Sequence, residues 1–166
     1  MKNIVVYDSL TGNTKKLAEA IAKNLNCELK CVGDCEGESF ENYKQIIFGF
    51  YIDKGFMGVD AERFTQKIRG KKVGIFYTLG GDPKSDRASA LKERIKEFFK
   101  ANDNEIVKVF YCQGAISDIQ LEAARKRALA EGSPITPQRE VFWKEGKKHP
   151  NDKDVQEAVA AFKDFK

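Results

Sequence analysis

The chain has 166 residues, 42% of them hydrophobic and 33% charged. That length and apolar content fit one folded domain, residues 1–166, and exclude a disordered chain. The longest apolar runs, Ile46–Ile52 and Val73–Leu79, fall far short of the ~20 residues that span a bilayer, so no membrane insertion is expected. The N-terminal run Ile4–Tyr7 stops at Asp8, which leaves no signal-peptide core and points to a cytoplasmic location. Net charge is +4, and Arg125–Lys148 accounts for it with seven basic residues against three acidic ones. This is sparser than the stripe of a nucleic-acid binder, so no nucleic-acid partner is expected.

Along the chain, β-branched and aromatic runs recur at Asn3–Tyr7, Leu29–Val32, Gln45–Phe50, Lys72–Thr78 and Ile106–Cys112. Several are nearly continuous hydrophobes, as strands covered on both faces are. Helical patterns lie between them. Leu17, Ala20, Ile21 and Leu25 share a face of the first; Phe64 and Ile68, with Asp60 as candidate cap, mark the second. Ala88, Leu91, Ile95 and Phe98 or Phe99 mark the third. Ile119, Ala123 and Leu129 outline a fourth, and Val155, Val159 and Phe162 a fifth, with Asn151 and Asp154 spaced as a cap. The acidic crossover Gly33–Tyr43 has room only for a short turn. An extra helix and loop segment is expected at about residues 117–150, with a Pro-rich connection in which Trp143 either anchors the segment or faces a partner.

Strands alternating with helices predict an α/β sheet with helices on both faces. Ligands of such sheets sit outside the carboxyl ends of the strands. The informative residues are therefore those that follow each strand.

After the first strand comes Asp8-Ser9-Leu10-Thr11-Gly12-Asn13-Thr14, leading straight into a helix. Free backbone N–H groups and the helix dipole favour an anion there. Ser9, Thr11, Asn13 and Thr14 add donors, and Gly12 adds flexibility; an ordinary cap needs only one such residue. The loop is neither a Walker loop nor a Gly-x-Gly-x-x-Gly fingerprint.

The run Ser9-Leu10-Thr11-Gly12-Asn13-Thr14 resembles the FMN phosphate loop of flavodoxins, Ser/Thr-x-Thr-Gly-Asn-Thr. The resemblance implies a flavodoxin-like three-layer sandwich with a five-stranded parallel sheet in the order 2-1-3-4-5. It also implies FMN at the tips of strands one, three and four. After the third strand, Tyr51, Ile52, Asp53, Lys54 and Gly55 would form the loop beside the flavin ring, with Tyr51 as the flanking aromatic. After the fourth, Thr78, Leu79, Gly80 and Gly81 would bring backbone donors to the pyrimidine edge. The family often stacks a tyrosine from this side; here Tyr77 is expected to point into the sheet, leaving Leu79 or an open face. The segments Gly49–Gly55, Thr78–Gly80 and Cys112-Gln113-Gly114 resemble a branch of small flavodoxin-domain proteins from anaerobic bacteria, some of which serve larger reductases.

The resemblance implies an FMN-binding electron-transfer protein with a redox partner protein, in which the flavin carries the chemistry and no residue is catalytic. Flavodoxins are typically acidic, whereas this chain is positive, so an acidic partner is expected at Arg125–Lys148. An alternative keeps the FMN and makes the chain an NAD(P)H-dependent reductase of quinones or other acceptors, although no dinucleotide motif is visible. A phosphoacceptor receiver domain would use Asp8, Asp53 and Thr78, but lacks a second acid and carries Gln113 where lysine belongs. Hydrolase chemistry finds no Gly-x-Ser-x-Gly elbow. Cys27, Cys31, Cys35 and Cys112 match no metal-ligand spacing, so spare thiols and no metal are expected.

Overall fold

The computed structural model describes residues 2–165. In chain order the elements are β1 (Lys2–Tyr7), α1 (Asn13–Leu25), β2 (Glu28–Cys31), a 3₁₀ turn (Val32–Cys35), β3 (Tyr43–Asp53) and β4 (Phe56–Met57). Then follow α2 (Val59–Thr65), β5 (Lys72–Leu79), α3 (Asp86–Lys100), β6 (Glu105–Gln113), α4 (Asp118–Ala130), α5 (Pro137–Gly146) and α6 (Asp152–Phe162). The five long strands are parallel and ordered β2-β1-β3-β5-β6. Counting those five alone, the order is the expected 2-1-3-4-5. The short β4 folds back antiparallel on the end of β3.

Strand alternation divides the core between two layers. Ile46, Phe48 and Phe50 of β3 and Val73, Ile75 and Tyr77 of β5 pack with Ala61 and Phe64 of α2 and Ile95 and Phe99 of α3. Ile47 and Phe76 face the other way, onto Leu17 and Ile21 of α1 and Ala158 and Phe162 of α6. That second face is tight. A Cβ on Gly49 would lie 2.0 Å from the Phe76 ring, and one on Gly74 would lie 2.8 Å from Phe162. Glycine in these central strands is what leaves room for these two aromatic rings.

Three helical expectations need correction. Helix α2 stops at Thr65, so Ile68 lies beyond it, and its N-cap is Gly58 rather than Asp60. Asp60 instead sits in the first turn, where a carboxylate favours the helix dipole. On α4 the expected face is turned outward: Ile119 is 82% and Leu129 85% exposed, while Leu121 and Ala128 are buried. Those two are seven residues apart and share a stripe, and the helix start is fixed by the Ser117–Gln120 capping box. The Pro-rich connection contains a helix of its own, α5, capped by Thr136 with Pro137 in its first turn. Trp143 of α5 is buried, with the guanidiniums of Arg125 and Arg139 lying 5.3 and 5.0 Å from its ring. It anchors α5 to α4.

At the last helix, Asn151 and Asp154 form the expected capping box. The turn before it is tied down as well. His149 Nδ1 lies 2.6 Å from Asp154 Oδ2, and the His149 carbonyl accepts from the Ala115 N–H at 2.8 Å.

Candidate functional site

The site is built where β1, β3, β5 and β6 end. Gly12 turns the chain into α1 at φ +93°, a left-handed conformation that suits glycine. Its N–H donates to Ser9 Oγ at 3.1 Å. Helix α1 has no side-chain cap and no acid in its first turn. By contrast α3, α4, α5 and α6 are capped by Ser85, Ser117, Thr136 and Asn151. The first N–H groups of α1 are thus left for an outside acceptor.

Two hydrogen bonds lock this loop to its neighbours. Asn13 Nδ2 donates to the Ala115 carbonyl at 3.0 Å. Thr14 Oγ1 and Thr78 Oγ1 are 3.0 Å apart and both side chains are buried. Such a pair holds two protons and uses one between its members, leaving one for a third group.

From β3 the chain runs through Lys54 (φ +49°) and Gly55 (φ +86°) into β4. Two consecutive positive φ values make a tight hairpin turn, pairing Asp53 with Phe56. Tyr51 lies ahead of that turn, half-buried. A Cβ on Gly58 would come within 2.9 Å of the Tyr51 hydroxyl, so the ring leans on bare backbone. Burial pushes the Tyr51 phenol pKa up, with Asp8, Asp53 and Asp60 adding to the shift.

After β5, Leu79 is buried and Gly80 approaches the loop after β6 so closely that a Cβ would meet Ile116 at 2.7 Å. The Gly114 N–H donates to the Leu79 carbonyl at 2.9 Å.

These segments enclose a cavity of about 310 Å³, at the small end of the size range of ligand sites. Of the expected residues, Ser9, Leu10, Thr11, Asn13 and Thr14 line it from the first loop, and Tyr51, Ile52, Asp53 and Lys54 from the second. Thr78, Leu79, Gly80 and Gly81 line it from the third. Gly12 and Gly55 do not reach the cavity; they make the turns that present the others. Sequence reasoning missed Gly114, Ala115, Ile116 and Gln120, which complete the wall. The rule that ligands sit past the strand ends applies equally to β6, and was the available signal.

Tyr77 is fully buried in the core, stacked on Phe50 at 5.6 Å and on Tyr111 at 5.0 Å. It takes no part in the cavity wall.

Asp8 belongs elsewhere. It lines a second cavity with Cys31, Cys35, Asp60, Arg63 and Lys67, apart from Asp53 and Thr78. A receiver's acidic cluster is therefore not assembled. Asp8 Oδ2 is shielded from solvent and has no hydrogen-bond partner among the described residues. Burial, then the charge of Asp60, raises its pKa, against the pull of the Ala61 and Ser9 backbone N–H groups. A carboxyl raised in the fold costs no stability below its unfolded value, near 3.8. It destabilises increasingly as pH rises from there to its raised folded value, and by a constant amount above it. Asp8→Asn is expected to raise Tm at pH 7, with the gain fading towards pH 3 in calorimetry. A gain that persists unchanged at pH 3 would assign it to packing instead.

The four cysteines are free thiols, Cys35 and Cys112 buried, Cys27 and Cys31 half-buried. Burial pushes the Cys35 thiol up to about 11 and the Cys112 thiol to about 12. Among the described residues, no helix is long and apolar enough to cross a membrane.

A doubly wound parallel sheet with a hydroxyl-rich loop after β1 and a cavity over four strand ends defines a flavodoxin-like α/β protein. Residues 4–163 match the Flavodoxin domain family, and the chain belongs to that family. It is 32% identical to the flavodoxin-like domain-containing protein BilS of Clostridioides difficile (strain CD3), over 95% of this chain and 92% of that protein. Among solved structures it resembles a flavodoxin from the domain Archaea, with TM-score 0.62 and 20% identity over 99% of this chain and 95% of that one. It also resembles a flavoprotein in complex with FMN from Lactobacillus acidophilus NCFM. There the TM-score is 0.53 and the identity 17%, over 66% of this chain and 92% of that one.

The residues present fit FMN. Uncapped amides and the hydroxyls of Ser9 and Thr11 suit a phosphate, while Tyr51, Ile52, Leu79 and Ile116 suit a flat, largely apolar ring.

Proposed function

We propose that this chain binds FMN in the 310 Å³ cavity and carries electrons between the flavin and a partner protein. The observation that carries the reading is the open N-terminus of α1, without side-chain cap or acid, on a cavity wall rich in hydroxyls. Bound there, FMN would supply one- and two-electron redox chemistry. The protein's part is to hold and shield it. Ser9, Thr11 and the first amides of α1 would bind the phosphate, with the proton left over by the Thr14–Thr78 pair as a further donor. Tyr51 would cover one side of the ring, and Leu79 and Ile116 would keep water from it.

The test is to titrate purified protein with FMN and with riboflavin, following flavin fluorescence. Saturable binding with a clear preference for FMN is expected; failure to bind FMN would overturn the reading. Steady NAD(P)H oxidation by the FMN-loaded protein alone would favour a self-contained reductase over a carrier.

For the partner we propose an acidic surface. The basic stretch is partly neutralised from within: Arg125 pairs with Glu140, Lys126 with Glu122, Lys147 with Asp118 and Lys148 with Glu145. Arg127, Arg139 and Lys144 are exposed and have no ion pair among the described residues, so steering falls to these three. Electron transfer to the partner should slow as the Debye length falls from ~10 Å at 0.1 M salt to ~3 Å at 1 M. Arg127→Glu/Lys144→Glu should slow it at low salt and flatten that salt dependence in stopped-flow traces. Rates indifferent to both salt and charge reversal would rule this surface out.

A further inference from the structure

We propose that a second cleft, opening beside the cofactor cavity, binds a flat, largely apolar organic anion. This inference does not depend on the FMN reading. The cleft, of about 940 Å³, lies between the β3–β4 hairpin, the loop after β5 and the start of α3. It shares Ile52, Lys54, Leu79, Gly80 and Gly81 with the first cavity, so ligands of the two would be neighbours.

Its chemistry is divided. Ile52, Leu79, Ala88 and Leu91 offer an aliphatic surface, and Lys54, Arg87 and Arg94 supply charge. Arg87, Leu91 and Arg94 follow one another at spacings of four and three, so they share one stripe of α3. Arg94 is already positioned, its guanidinium lying 4.2 Å from the centre of the Phe56 ring. Lys54 is set by the hairpin turn. None of these cations has an acidic partner within salt-bridge distance among the described residues, unlike Arg125 and Lys126 of α4. The single acid in the lining, Asp82, whose Oδ1 accepts from the Lys84 N–H at 2.8 Å, stands against these three cations. The N-terminus of α3 is capped by Ser85, so anion selectivity rests on the three side chains. An aliphatic floor with cations beside it matches an apolar body bearing a carboxylate or sulfonate. It offers little to the ribose hydroxyls of a dinucleotide.

Anthraquinone-2-sulfonate is a suitable probe. It is titrated into the full chain, first without flavin and then with FMN present, with affinity read by equilibrium dialysis and the site by amide NMR shifts. Saturable shifts are expected at residues 54–55 and 79–94 in both states. Kd should rise about tenfold for Arg87→Glu/Arg94→Glu, and about tenfold when the neutral 2-(hydroxymethyl)anthraquinone replaces the sulfonate on the unaltered protein. The neutral analogue keeps the test valid should the variant fail to fold. The proposal is overturned by absent saturation, by shifts centred on α4 and α5, or by a Kd indifferent to charge. It is equally overturned if FMN abolishes probe binding, which would place the probe in the first cavity, or if NADPH displaces the probe more tightly than the probe itself binds. Probe binding with no FMN binding would leave this inference standing and remove the cofactor reading.

Discussion

Thr11→Ala is expected to weaken FMN binding roughly 10- to 100-fold while leaving riboflavin affinity nearly unchanged. The hydroxyl is exposed on the cavity wall, and its loss removes a charge-assisted hydrogen bond of ~1.5–3 kcal/mol to the phosphate. Riboflavin has no phosphate, so the same change should cost it almost nothing. Thr14→Ala should behave differently. Thr14 is fully buried against Thr78, so its removal orphans a buried hydroxyl and costs about 1–3 kcal/mol of stability as well as affinity. Thr14→Ser keeps the hydroxyl and should restore most of both. Fluorescence titration with the two flavins, beside thermal unfolding, separates the two threonines. Equal losses of FMN and riboflavin for Thr11→Ala would mean that this loop does not hold the phosphate.

The loop Ser9–Thr14 was legible because its chemistry is local, whereas the loops after β3 and β5 were placed by the resemblance to flavodoxins. A strand, a hydroxyl-rich turn and an amphipathic helix in succession declare an anion site without knowledge of distant residues. The fold was legible for the same reason: Ile46–Ile52 and Val73–Leu79 read as strands covered on both faces, and strands in series with helices leave few topologies. What stayed hidden depends on contacts between remote segments. Gly114–Ile116 carries no donor-rich signature, and its place in the wall comes from Asn13 reaching across to Ala115. Ile119 and Leu129 suggested the buried stripe of α4, yet the stripe is Leu121 and Ala128, because α4 packs through its contact with Trp143 and α5 rather than against the sheet. Helix α5 was announced by Thr136-Pro137, an N-cap followed by proline, but the three prolines near it read more readily as a connection. The short α2 shows the limit of periodicity: Ile68 is fully buried and in phase with Phe64, yet lies beyond the helix end.

Replacing Tyr51 with alanine should raise the potential of the last reduction step of bound FMN and weaken FMN binding. Tyr51 lines the cavity, leaning on Gly58, and it lies in a negative field from Asp8, Asp53 and Asp60. Fully reduced flavin tends to carry a negative charge on its ring. An electron-rich aromatic face that keeps water away disfavours that anion relative to neutral forms. Alanine admits water, which solvates the charge, so the last electron enters more easily. Binding should fall by the lost stacking and apolar contact, on the order of 1–3 kcal/mol. Tyr51→Phe keeps the face and should retain most of both properties. Tyr77 provides the control, because it is stacked between Phe50 and Tyr111 inside the core. Tyr77→Ala should cost about 3–5 kcal/mol of stability, seen as a lower Tm, with little change in the potential of whatever protein remains folded. If redox titration instead finds the potential moved by Tyr77→Ala and untouched by Tyr51→Ala, then Tyr51 is not the residue that covers the ring.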